Sequence, residues 1–178
     1  LGDLKHEFSR NINQEWNEVR RFFSFLKEKI EVEGKIIIVK GNHDKFIETI
    51  ASRYDISVVD FYIENDKAFF HGDKQFVDIL DKKIKYWFMG HFHPAIRLEE
   101  GAKSEIYKCF LRGDWKGKEI VILPSFFPLI EEVDVAKEAL EEGYLAYKFD
   151  LRDFEVYVPD DNLEVLDFGR VRDVGKLD

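Results

Sequence analysis

Along the first part of the chain, Trp16, Val19, Phe23, Leu26 and Ile30 recur at steps of three and four, the spacing that lines one face of an α-helix. Asn11 followed by Gln14 fits a capping box at its start, and Gly34 fits a stop. Ahead of this helix, Gly2 to His6 reads as the end of a strand running into a loop. Behind it, Lys35 to Val39 predicts a short strand. Its unbroken apolar run suits a strand buried on both faces in an α/β layer. The chain then enters the loop Gly41-Asn42-His43-Asp44.

A short helix from Phe46 to Arg53 and a strand from Ile56 to Val59 follow. A hairpin comes next, Phe61 to Glu64 and Lys67 to His71 about an Asn65-Asp66 turn. Gln75 to Leu80 predicts another short helix. Tyr86 to Met89 predicts a strand ending in Gly90-His91-Phe92-His93-Pro94. From Ala95 the pattern turns β-rich. Strands are expected at Glu105 to Leu111 and Glu119 to Leu123 around a Gly113 to Gly117 turn, and again at Tyr144 to Phe149, Phe154 to Tyr157 and Leu163 to Phe168. A helix is expected near Val135 to Glu142, and the polar tail from Arg170 is expected to fray. With no repeat and no linker, residues 1–178 read as a single domain, α/β in the first half and antiparallel β in the second.

Composition narrows the classes. The 178 residues are 45% hydrophobic and 35% charged, enough for a packed core. The longest aliphatic runs are four residues, Ile36 to Val39 and Ile120 to Leu123. A membrane-spanning helix needs roughly 20 apolar residues, so a transmembrane protein is not expected. The single cysteine, Cys109, excludes an intrachain disulfide and suits a reducing cytoplasm. A formal net charge of -9 repels polyanions in bulk, so nucleic-acid binding would need a local patch or a metal. Lys5, Arg10, Lys40, Lys45 and Lys74 are candidates for such a rim, or simply solvated loop faces. Phe92 and Pro94 are candidates for base stacking, or equally for packing.

The five histidines, His6, His43, His71, His91 and His93, all lie in the first half. Each stands at or near a predicted strand end, close to Gly, Asp or Asn. Imidazole is the commonest metal ligand, and carboxylate or amide oxygens complete sites for divalent ions. Two histidines two residues apart at a strand end, as in His91 and His93, can serve one site.

Gly2-Asp3-Leu4-Lys5-His6, Gly41-Asn42-His43-Asp44, His71-Gly72-Asp73 and Gly90-His91-Phe92-His93 together resemble four of the five motifs of the calcineurin-like metallophosphoesterases. His6 leans toward the SbcD-type repair nucleases. Leu123-Pro124-Ser125-Phe126 is similar to a segment of the compact SbcD-related phosphoesterases, including ligase-associated DNA-repair endonucleases. The resemblance implies a four-layer α/β/β/α sandwich whose strand-end loops converge on two metals. It makes Asp3 the bridging carboxylate. Asn42, His71 and His91 complete one metal, and His93 binds the other. His43 becomes the general acid held by Asp44, and His6 contacts the phosphate or the attacking water.

Two cations about 3.5–4 Å apart stabilise both the attacking and leaving oxygens of an in-line displacement. The donor types suit Mn²⁺ first, with Fe²⁺, Zn²⁺ or Ni²⁺ as alternatives. The family's first motif, Asp-x-His on the first strand, is absent, which leaves the second metal site incomplete. Met89 is the sole methionine, so the chain reads as N-terminally truncated, with that strand and motif about 50 residues upstream as the resemblance implies. The expected activity is phosphodiester hydrolysis, by a nuclease-like enzyme acting on single-stranded DNA or nucleotides. The alternative is a non-catalytic interaction scaffold on the same fold.

Overall fold

A computed structural model describes residues 1–4, 13–30, 35–100, 103–127, 133–138, 145–160, 162 and 164–174. Lys5, His6, Arg10, Asn11 and Gly34, and with them the capping box, the helix stop and part of the cation rim, lie outside these residues. Within them the fold is mixed α/β, with several sheets and few helices. No helix among the described residues is long and apolar enough to cross a membrane. Two compact units form, one of Leu1–Tyr62 with Phe69–His71 and one of Ile63–Ala68 with Gly72–Asp178.

In the first unit, helix α1 (Asn13–Lys29) buries Val19 and Phe23 from the predicted stripe. These side chains pack with Ile38 of strand β1 (Ile37–Val39) and with Ile47, Ile50 and Ala51 of helix α2 (Ile47–Ala51). Trp16 and Tyr54 lie against this core, and the Tyr54 ring meets Phe23 edge-on at 5.6 Å. Such a contact adds to the burial of both rings. Strand β1 pairs in parallel with β2 (Ser57–Val59), Ile38 facing Val58. The chain then forms the predicted hairpin, β3 (Phe61–Glu64) and β4 (Lys67–Phe70). Asn65 takes φ 55° in its turn, a left-handed conformation that asparagine tolerates.

In the second unit, a seven-stranded sheet begins with the hairpin residues Ile63–Ala68 and continues through β5 (Tyr86–Met89). Strand β6 (Pro94–Glu100) leaves this sheet to pair antiparallel with β7 (Lys103–Lys108). Strands β8 (Phe110–Trp115) and β9 (Lys118–Ile122) return to it as a hairpin, and β9 runs parallel to β5. Strand β10 (Val133–Asp134) joins β6 and leads into helix α3 (Val135–Glu138). Strands β11 (Glu155–Pro159) and β12 (Val165–Arg170) complete the larger sheet, followed by helix α4 (Val171–Val174).

Several expectations are corrected. The segment from Glu105 to Leu111 is not one strand: it breaks at Cys109 into β7 and β8, which serve different sheets. Gln75 to Leu80 forms only a 3₁₀ turn at Asp78–Leu80. Residues 145–149 form no strand. Instead Tyr147 and Phe149 bring their rings against Trp115, and Tyr147 also meets Trp87 at 4.8 Å. The tail does not fray at its start, because Val171 and Val174 of α4 are buried.

Candidate metal centre

The site residues of the first unit come from three places on the chain. Strand β1 ends at Val39 and releases Gly41 to Asp44, β4 ends at Phe70 and releases His71, and the segment Leu1 to Asp3 lies against both. The carboxylate of Asp3 accepts the His43 backbone N–H at 2.9 Å through Oδ1, and its Oδ2 lies 3.1 Å from His71 Nε2. Asn42 Oδ1 lies 3.1 Å from the same ring nitrogen. Asp3, Asn42, His43, Asp44 and His71, all singled out in the sequence, are thus gathered in one place.

Glycine makes this closeness possible. A Cβ on Gly41 would stand 2.1 Å from Asp3 Oδ1 and 2.5 Å from Asp3 N. Gly2, at φ 89°, has the same constraint, since a Cβ there would stand 2.6 Å from His71 Nδ1. Both conditions admit only a residue without a side chain. Asp3 itself sits at φ 54°, a left-handed conformation that Asp adopts more readily than most residues.

His71 is almost fully buried, with 3% of its surface exposed. Its Nδ1 is 2.8 Å from the Leu1 carbonyl oxygen. That oxygen only accepts, so Nδ1 carries the proton. In the neutral ring the Nε2 lone pair then faces Asp3 Oδ2 and Asn42 Oδ1 at once. Three electron-rich atoms converging in this way require either a proton on Nε2 or a cation among them. A nitrogen, a carboxylate oxygen and an amide oxygen are the donors that borderline divalent ions take, so the residues fit the implied metal. The bond from Nδ1 to a backbone carbonyl is also the usual support of a metal-binding histidine.

Burial pushes the Asp3 carboxyl pKa upward, but with Nε2 protonated the His71 hydrogen bond and charge, together with the His43 N–H, outweigh it and hold the group below its usual range. Asp44 is wholly buried, and its Oδ2 accepts the backbone N–H groups of Asp3 at 2.7 Å and Gly41 at 3.0 Å. These two bonds satisfy a carboxylate oxygen that burial would otherwise leave without a partner.

His91 and His93 follow β5 in the second unit. They take φ values of 68° and 51°, unusual for non-glycine residues and costly by about 1–3 kcal/mol each. Between them Phe92 is 3% exposed, its N–H bonded to the Gly90 carbonyl at 2.8 Å. Of the two offices considered for Phe92 and Pro94, packing is therefore the one observed: both are buried. Lys40 is paired with Glu48, and Lys74 lies 4.0 Å from Asp73. Downstream, Leu123 N–H bonds the Met89 carbonyl, extending the β5–β9 pairing, and Lys108 Nζ holds the Ser125 carbonyl at 2.8 Å.

The Leu1 carbonyl and Gly41 were not singled out by residue chemistry, the first because any residue supplies a carbonyl. Gly41 does carry a signal, a glycine directly before an amide and an imidazole at a strand end. No family model, curated protein or solved structure matches the chain.

Proposed function

We propose that this chain is a metal-dependent phosphoesterase that hydrolyses phosphodiester bonds, on a four-layer α/β/β/α sandwich of the calcineurin-like type. One observation carries the reading: His71 Nε2, Asp3 Oδ2 and Asn42 Oδ1 converge while His71 Nδ1 is tied to the Leu1 carbonyl. Asp3, Asn42 and His71 are the residues that would hold a divalent ion, with Mn²⁺ the first choice. The motif resemblance adds His91 and His93 as further ligands. Bound divalent ions would polarise a phosphoryl oxygen and lower the pKa of a coordinated water.

The chain's own residues do the rest. His43, half-buried and anchored through its backbone N–H to Asp3, is the residue given the role of donating a proton to the leaving oxygen. Asp44 fixes the loop that carries it. The acidic net charge favours short or single-stranded substrates over a long duplex.

The test measures Mn²⁺-dependent hydrolysis of bis-para-nitrophenyl phosphate, single-stranded DNA and nucleotides by the full gene product. His43→Ala should abolish turnover while Mn²⁺ affinity, read by calorimetry, stays nearly unchanged. Absence of hydrolysis with metal bound would overturn the proposal and favour the scaffold. Loss of metal in His43→Ala would overturn the role given to that residue.

A further inference from the structure

Phe46 occupies a position that neither packing nor backbone preference explains. It lies two residues beyond Asp44, immediately before α2, at φ 66°. For a bulky aromatic this left-handed conformation is a genuine outlier, and such strain gathers at functional sites. Its side chain is 58% exposed, while Ile47 and Ile50 just after it are fully buried. Among the described residues its ring makes no aromatic contact. The turn that holds it is tightly bonded: Lys45 N–H to the His43 carbonyl, Ile47 N–H to that of Asp44, and Thr49 N–H to that of Phe46 itself. The backbone that carries the ring is therefore fixed next to that of His43 and Asp44. Phe92, the aromatic beside the other histidines, is buried and unable to offer a face.

We propose that Phe46 is a stacking platform for a nucleobase, which makes the substrate class base-bearing phosphate esters rather than phosphodiesters of simple alcohols or sugars. This rests on the phosphoesterase reading above. A base stacked on an aromatic side chain retains affinity without hydrogen-bond readout and so tolerates any base. It also supplies attraction that the chain's net charge of -9 denies to bulk electrostatics.

The experiment measures binding by calorimetry in Mn²⁺, using the full gene product with AMP, ribose 5-phosphate and a ten-nucleotide oligothymidylate. Phe46→Ala should weaken AMP and the oligonucleotide by roughly 5- to 150-fold and leave ribose 5-phosphate nearly unchanged. Phe46→Trp should restore the affinity. Phe46→Asn, which suits the left-handed backbone, should match Phe46→Ala while folding at least as well as the wild type. A loss on the oligonucleotide alone would support stacking on a base within a strand rather than on a free nucleotide. Equal losses on AMP and ribose 5-phosphate, or no loss on any ligand, would overturn the proposal. Hydrolysis assayed alongside separates the two readings: a wild type inactive on every phosphodiester with metal bound fails the enzyme, whereas an active one indifferent to Phe46→Ala fails only the platform.

Discussion

Asp44 Oδ2 accepts a 2.7 Å hydrogen bond from the backbone N–H of Asp3, a residue 41 positions earlier in the chain. The same oxygen holds the Gly41 N–H at 3.0 Å. One buried carboxylate therefore fastens the segment bearing Asp3 to the loop bearing Asn42 and His43.

Asp44→Ala would leave both N–H groups without this acceptor in a buried setting. Unsatisfied buried donors cost enough that a loss of about 2–4 kcal/mol is expected. Asp44→Asn keeps a carbonyl oxygen in place and should lose less. Urea denaturation of the two variants checks the order. Equal stability of Asp44→Ala and wild type would show that these bonds do not hold the loops.

Gly41→Ala would drive a methyl group into the Asp3 carboxylate, 2.1 Å from its Oδ1. The carboxylate must move, and with it one donor of the candidate metal centre. Mn²⁺ affinity should fall by about 10–100-fold, the range seen when the support of a ligand is disturbed, with far-UV circular dichroism near that of wild type. Electron paramagnetic resonance titration of free Mn²⁺ gives the affinity directly. An unchanged affinity would remove Asp3 from the ligand set.

The Lys40–Glu48 pair joins the end of β1 to α2 on the surface. Burial would raise the Glu48 carboxyl pKa, but the Lys40 hydrogen bond outweighs it and holds the group below its ordinary value. A carboxyl depressed in the folded state adds stability above its unfolded pKa, and that stability is lost as pH falls through the folded value. Because both partners are partly exposed, the contribution is under about 1 kcal/mol. Glu48→Gln should thus lower the urea midpoint slightly near neutral pH, by progressively less as the pH falls below the ordinary carboxylate range, and by less in molar salt. A loss that persists at acidic pH would assign the effect to packing.

Elements governed by local pattern were legible in the sequence. The α1 stripe, the β3–β4 hairpin and strand β5 appear where periodicity and turn residues place them. Elements governed by tertiary pairing were not. Strand β6 opens on Pro94, directly after the histidine motif, and a proline at a strand's first residue masks its start. The segment from Glu105 to Leu111 holds no glycine, proline or asparagine, so no turn residue marks the change of sheet at Cys109. Tyr147 and Phe149 carry strand propensity but are drawn onto Trp115, a preference set by packing rather than by pairing. At the candidate metal centre, the motif resemblance named Asp3, Asn42 and His71, and the structure brings these three side chains together. The αL backbone of Phe46 and the packing that hides Phe92 have no signature in residue type.

The contacts that assemble the Asp3 corner bridge separations of 29, 40, 41 and 70 residues. Helical signal in circular dichroism can recover long before such distant partners find one another. Under the proposed metal reading, cation capture would be the stricter gauge of a correctly refolded sample, sensitive to errors that spectroscopy of the helices would pass over.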